Sequence, residues 1–171
     1  MKKFVIGGIV ILFIFIGTSV AMISNQDAQN ASMVDVCTSV IQSKMKSPSS
    51  YSESKILVSS KVPSGDDLDK RSQTFQTEQL REGIKNGLIK LRVVDIFIDF
   101  EASNALGVQL KGLARCEYNA FTDDWASLDS VVIDGASLSS ADVIIETAGK
   151  KIDSGISSKI KYLEFKIKGK I

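Results

Sequence analysis

Val94-Asp95-Ile96-Phe97-Ile98-Asp99-Phe100-Glu101-Ala102, then Asn104-Ala105-Leu106-Gly107, then Val108-Gln109-Leu110-Lys111-Gly112-Leu113-Ala114-Arg115-Cys116-Glu117-Tyr118, is the stretch that decides the fold. Val94, Ile96, Ile98, Phe100 and Ala102 alternate with Asp95, Asp99 and Glu101, which is the period of a half-buried strand. Asn104 and Gly107 both tolerate positive φ and reverse the chain. On the return, Val108, Leu110, Ala114, Cys116 and Tyr118 alternate with Gln109, Lys111, Arg115 and Glu117. Setting Phe100 against Leu110 places Asp99 opposite Lys111, Asp95 opposite Arg115 and Phe97 opposite Leu113. Pattern and charge agree on this register, and a one-residue slip would destroy both.

Upstream of the hairpin, Val34, Cys37, Ile41 and Met45, with Met33 and Val40 beside them, recur at the spacing of one helix face, and Pro48 stops that helix. Ile56-Leu57-Val58, within Tyr51 to Val62, reads as a short strand. The polar stretch 63–87 is rich in turn formers and predicts a long, exposed and mobile excursion, with a modest helix over Thr77 to Lys85. Downstream, Ser127 to Ile133 reads as a strand closed by Asp134-Gly135. Ser139 with Asp142 predicts a capped helix carrying Ile145, Ala148 and Ile152 on one face and closed by Gly155. Leu163, Phe165, Ile167 and Ile171 alternate with Glu164, Lys166, Lys168 and Lys170, which predicts a final strand with one basic side. The expected fold is a single α+β domain over 33–171, its helices packed on an antiparallel sheet.

The chain's start reports on compartment. Lys2 and Lys3 precede an uncharged apolar run from Phe4 to Ile23, long enough at 1.5 Å per residue to cross a bilayer's hydrocarbon core. The next basic residue is Lys44, so the lysines mark the cytoplasmic side and the body lies outside. Ser19 and Ala21 also fit positions −3 and −1 of a signal-peptidase site, but apolar character resumes at Met22-Ile23. Residues 1–24 are therefore read as a transmembrane helix, with a cleaved signal peptide as the alternative, and 25–32 as a polar tether. Either way the chain is exported. The anchored form is a single-pass protein of the cell inner membrane with its bulk on the periplasmic or extracellular side.

Composition narrows the chemistry. Lys plus Arg number 21 against 20 Asp plus Glu, so no global field favours nucleic acid, and there is no histidine to serve as general base. Two cysteines in an exported chain suit a disulfide better than a metal site. Cys37 lies on the apolar helix stripe and Cys116 on the apolar strand face, so both point into the helix–sheet interface. They are read as bridged, with two inert buried thiols as the alternative.

Cys37-Thr38-Ser39-Val40, then Lys44-Met45-Lys46-Ser47-Pro48-Ser49-Ser50, and later Asn104-Ala105-Leu106-Gly107 with Cys116, resembles small membrane-anchored bacterial and phage proteins. Those proteins share a cysteine-led helix ending in Lys-Ser-Pro, an Asn-x-x-Gly hairpin and a second cysteine. The resemblance covers Cys37 to Asn119 and implies no established activity. The segment after Ala120 departs from the pattern.

Weaker signals are read as structural. Ser43 with Lys46 and Ser52 with Lys55 fit S-x-x-K, the nucleophile motif of β-lactam-binding enzymes, without its companions S-D-N and K-T-G. Asp66, Asp67 and Asp69 lack the spacing and closing glutamate of an EF-hand. Asn30-Ala31-Ser32 matches a glycosylation acceptor. The terminal lysines suit protection of an edge strand better than contact with anionic lipid. Neither catalytic residues, nor a metal, nor a cofactor is expected. The candidate interaction face is Phe97 and Leu113, bordered by Asp95, Asp99, Lys111 and Arg115. The expected function is a membrane-tethered, non-enzymatic extracytoplasmic domain that touches the bilayer through its N-terminal helix and binds another, unknown envelope protein. Nucleic acid is not among the expected partners. Alternatives are a soluble periplasmic inhibitor or immunity-type protein and, distantly, a serine hydrolase.

Overall fold

A computed structural model describes residues 20–122 and 124–171. Helix α1 (Asn25–Lys44) leads through a 3-10 turn at Pro48–Ser50 into strand β1 (Ser52–Lys61). Helices α2 (Gly65–Thr74) and α3 (Glu78–Lys85) precede β2 (Arg92–Ser103), β3 (Gln109–Thr122), β4 (Trp125–Ile133) and β5 (Ala136–Ser137), and the chain finishes with α4 (Ser140–Thr147) and α5 (Ile156–Ile167). The five strands follow one another across an antiparallel sheet in the order β1-β2-β3-β4-β5. The α+β expectation holds.

One face of the sheet carries the main core. Val94, Ile96, Ile98 and Phe100 of β2, with Ala114, Cys116 and Tyr118 of β3, pack under Met33, Val34, Cys37, Val40 and Ile41 of α1. Helix α1 runs antiparallel to β3 along its length. Gln29 Nε2 donates to the Thr122 carbonyl, Tyr118 Oη donates to the Met33 carbonyl at 2.8 Å, and Cys37 is bonded to Cys116. At the far end, Met45 and Leu110 line one groove. The loop from α4 to α5 crosses the outer side of α1, where Ser32 Oγ donates to the Lys151 carbonyl and accepts from Asp153 N. Sheet on one side and loop on the other leave α1 buried round much of its circumference, including Ala28, Gln29, Ala31 and Ser32.

Several expectations are corrected. The tether expected at 25–32 is instead the first two turns of α1. Ser24 caps it, accepting from Asp27 N at 3.0 Å in the same capping box that Ser139 and Asp142 form at α4. Polar Gln29 is buried because Thr122 and Arg92 satisfy both ends of its amide. The transmembrane run falls mostly on residues outside those described. Among the described residues no helix is long and apolar enough to cross a membrane.

The excursion at 63–87 forms α2 and α3, which enclose a second small core of Ile84, Leu91 and Phe121. Gly155 does not close α4, which ends at Thr147, but precedes α5 as its N-cap. The predicted final strand is helix α5. Alternation at Leu163, Phe165 and Ile167 is too short to fix a period. The inward residues Ser158, Tyr162 and Phe165 follow helical spacing, and Lys168 closes an i,i+4 pair on Glu164. Beyond α5, the Lys170 carbonyl accepts from Ile56 N at 2.8 Å, so the tail lies along the outer edge of β1.

The hairpin faces are as expected, but its register is not. Phe100 stands opposite Gly112 rather than Leu110, and Phe97 opposite Arg115 rather than Leu113. Asp95 meets Glu117, Asp99 meets Leu113, and Lys111 meets Glu101. A two-residue shift leaves every side chain on its own face, so inside–outside alternation cannot detect it. Packing at Gly112 selects the register. A Cβ there would collide with the Phe100 ring and stand 2.9 Å from Asp134 Oδ1, so the glycine lets the ring lie across the β3 backbone.

Candidate interaction surfaces

The outer face of the sheet divides in two. At the end near the Phe121–Trp125 turn, α2 and α3 cover it. Arg71 of α2 reaches Glu117 of β3 at 2.7 Å, and Arg115 reaches the other oxygen of Glu117 at 2.7 Å. The Glu117 side chain is 12% exposed, so the carboxylate is held between two guanidinium groups and fastens the helical pair to the sheet.

Beyond Glu117, among the described residues, no helix covers the face. Leu57 pairs with Phe97, Phe97 with Arg115, and Arg115 with Val132, forming one row across four strands. Leu57 is 57% exposed and Leu113 51%. Phe97 is half-buried, with the Arg115 guanidinium carbon 5.8 Å from its ring centroid. Arg115 donates to Asp95 Oδ1 from both Nε and Nη2, at 2.9 and 2.6 Å, and this pairing keeps the guanidinium firmly charged. Lys111 lies 3.7 Å from Glu101, and Asp99 is exposed beside Leu113.

All six residues of the candidate face are therefore brought together, through a pairing other than the one expected. Leu57 was missed. It lies in the same strand that Ile56 and Val58 identify, and its outward position follows from that alternation. The charged rim is a connected system of Asp95, Arg115, Glu117 and Arg71 rather than isolated cross-strand pairs. Its diagonal Asp95–Arg115 contact explains why charge matching alone favoured the wrong register.

A second concavity, about 420 Å³, lies between β1, the first half of α1 and the C-terminal end of α5. Ala31, Val34, Ile56 and Tyr162 supply its apolar lining, with Asp27 and Lys166 at the rim.

The cysteines form the expected disulfide, with Cα atoms 6.1 Å apart and both residues fully buried. Ser43 donates its hydroxyl to the Val40 carbonyl at 2.8 Å, Lys46 lines the groove shared by Met45 and Leu110, and Ser52 and Lys55 lie on exposed positions of β1. Asp66 and Asp67 sit in the first turn of α2, where Asp67 pairs with Lys61 at 3.3 Å. Asn30 lies within α1 and accepts from Arg92 at 2.9 Å, which places the acceptor motif in a packed helix rather than a surface loop. Of the terminal lysines, Lys170 pairs with Glu53 at 2.7 Å and Lys168 with Glu164 at 2.6 Å. The chain matches no known protein-family model, and comparison with curated proteins and with solved structures finds no match.

Proposed function

We propose that this chain is a non-enzymatic binding domain, exported and held at the inner membrane by its N-terminal run, that captures another protein of the cell envelope on its open sheet face. The observation that carries the reading is the contrast in cover. The inner face is buried, whereas Leu57 and Leu113 remain more than half exposed beside Phe97 within a rim of Asp95, Asp99, Lys111 and Arg115. An apolar centre with a charged border is the usual anatomy of a protein interface. The buried Cys37–Cys116 bridge supports export, since such bonds persist in oxidising compartments. Site-specific photo-crosslinking from position 113 in cells tests the reading. A discrete adduct with one envelope protein, lost on Leu57→Ser with the fold intact, is the expected result. Labelling no stronger than from a control site on α5 would remove the proposed face.

Cleavage after Ala21 is supported by one observation of its own. Met22 is 88% exposed while Ile23 is 8% exposed, so the packed domain begins one residue beyond that bond. The intact mass of the mature protein separates the two forms.

A further inference from the structure

We infer that the Trp125 end of the domain rests directly on the bilayer surface, with Trp125 in the headgroup layer. The inference builds on the anchored reading. It starts from the missing tether: Ile23 is already packed into the domain and Ser24 caps α1, so no spacer separates the domain from the residues that precede it. With the run from Phe4 to Met22 in the bilayer, the end of the domain next to Met22 lies at the bilayer's edge.

The contacts along α1 identify that end. Gln29 touches Thr122, and Met45 lines a groove with Leu110, so the start of α1 extends past the β3–β4 turn and the 104–108 hairpin tip is the distal end. Three apolar side chains stand exposed with Met22 at the near end. Val62, just beyond β1, is 73% exposed; Leu88, in the turn entering β2, is 83% exposed; Trp125, opening β4, is 48% exposed. They belong to three different connections that converge where β1 ends, β2 begins and β4 begins. The solvent-exposed parts of these side chains add nothing to the fold in water, whereas exposed apolar and tryptophan side chains suit the membrane–water interface. Trp125 is also held rather than loose. Its ring lies 4.4 Å from that of Phe121, which in turn packs edge-on to Phe75 at 5.3 Å, so the aromatic is presented by the second core at little further entropic cost.

Trp125 is the sole tryptophan, and so supplies its own probe. The full-length, uncleaved chain is reconstituted into phosphatidylcholine–phosphatidylglycerol vesicles whose acyl chains are unmodified or brominated near the headgroup. The expected result is that Trp125 emission falls at least two-fold in brominated vesicles, and that Val62→Asp with Leu88→Asp restores much of it while far-ultraviolet circular dichroism is unchanged. A chain that floats with the vesicles but keeps the same emission in both lipids overturns the inference and leaves the anchor standing; that result includes the case in which the leader itself folds over Trp125. A chain that does not float overturns the anchor, and the seating with it.

Discussion

The two faces of the sheet are built from the same alternating strands and meet different fates. On the inner face, Ile96, Ile98, Ala114 and Cys116 are completely buried under α1, which a disulfide fixes at mid-length. On the outer face the cover is partial, a small second core of Ile84, Leu91 and Phe121 under two short helices. Helices α2 and α3 are fastened by Arg71 to Glu117 and leave Leu57 and Leu113 in solvent. Stability should therefore be concentrated on one side of the sheet and recognition on the other.

Four substitutions and one combined variant would break or sharpen that contrast. Cys37→Ser opens a cross-link spanning a sequence separation of 79 residues, and should cost on the order of 4 kcal/mol in denaturant unfolding under oxidising conditions. The intact protein should take up no alkylating reagent after denaturation until it is reduced. Next, Gly112→Ala forces the Phe100 ring off the β3 backbone, at a cost of about 1–3 kcal/mol, the range for overpacking. Stability equal to that of the parent would show that the ring does not select the register.

Arg71→Ala should cost only about 1 kcal/mol, because Arg115 still pairs with Glu117. Its effect should appear locally, as faster proteolysis within 65–85 with the main core unchanged. Equal loss throughout the molecule would mean that the two faces unfold as one unit.

The tail of the inner layer should respond to acid. Burial raises the Glu53 carboxyl, but the hydrogen bond from Lys170, a backbone hydrogen bond and the charge of the ammonium together outweigh it and leave the group below its ordinary value of 4.5. A depressed carboxyl contributes stability above its unfolded pKa and loses it as pH falls through the folded value. Amide exchange at Ile56, whose N–H bonds the Lys170 carbonyl, should therefore quicken relative to the neighbouring strand as pH drops below about 4.5. Glu53→Gln should remove that dependence. Smallest of all, Leu57→Ser with Leu113→Ser should shift stability by less than about 0.5 kcal/mol, the range for exposed positions. A loss several times larger would mean that another segment buries the pair, and the binding face would be wrong.

Legibility followed the length and sharpness of each pattern. The inward set from Val94 to Ala102 is long and strictly alternating, and all of it is buried. Asp134-Gly135 is a hairpin turn with both residues at positive φ, 50° and 82°, which the pair of residue types announces. The capping box at Ser139 located α4, and the equivalent Ser24-x-x-Asp27 would have located the start of α1 had polar composition not suggested a tether. Of the candidate face, the membership of Phe97, Leu113 and their charged neighbours was legible; which of them touch was not.

By itself the sequence determined which side of each hairpin strand is apolar, where the turns fall and that the two cysteines point inward. Those are local properties, set by a period of two and by the φ preferences of Asn, Asp and Gly. Only the tertiary structure decided the strand register, the helical tail and the burial of Gln29 and Ser32. Each depends on a partner distant in the chain: a ring that needs Gly112 beneath it, a core edge that accepts Tyr162 and Phe165 at helical spacing, and the polar groups of Thr122, Arg92, Lys151 and Asp153 that replace water around α1.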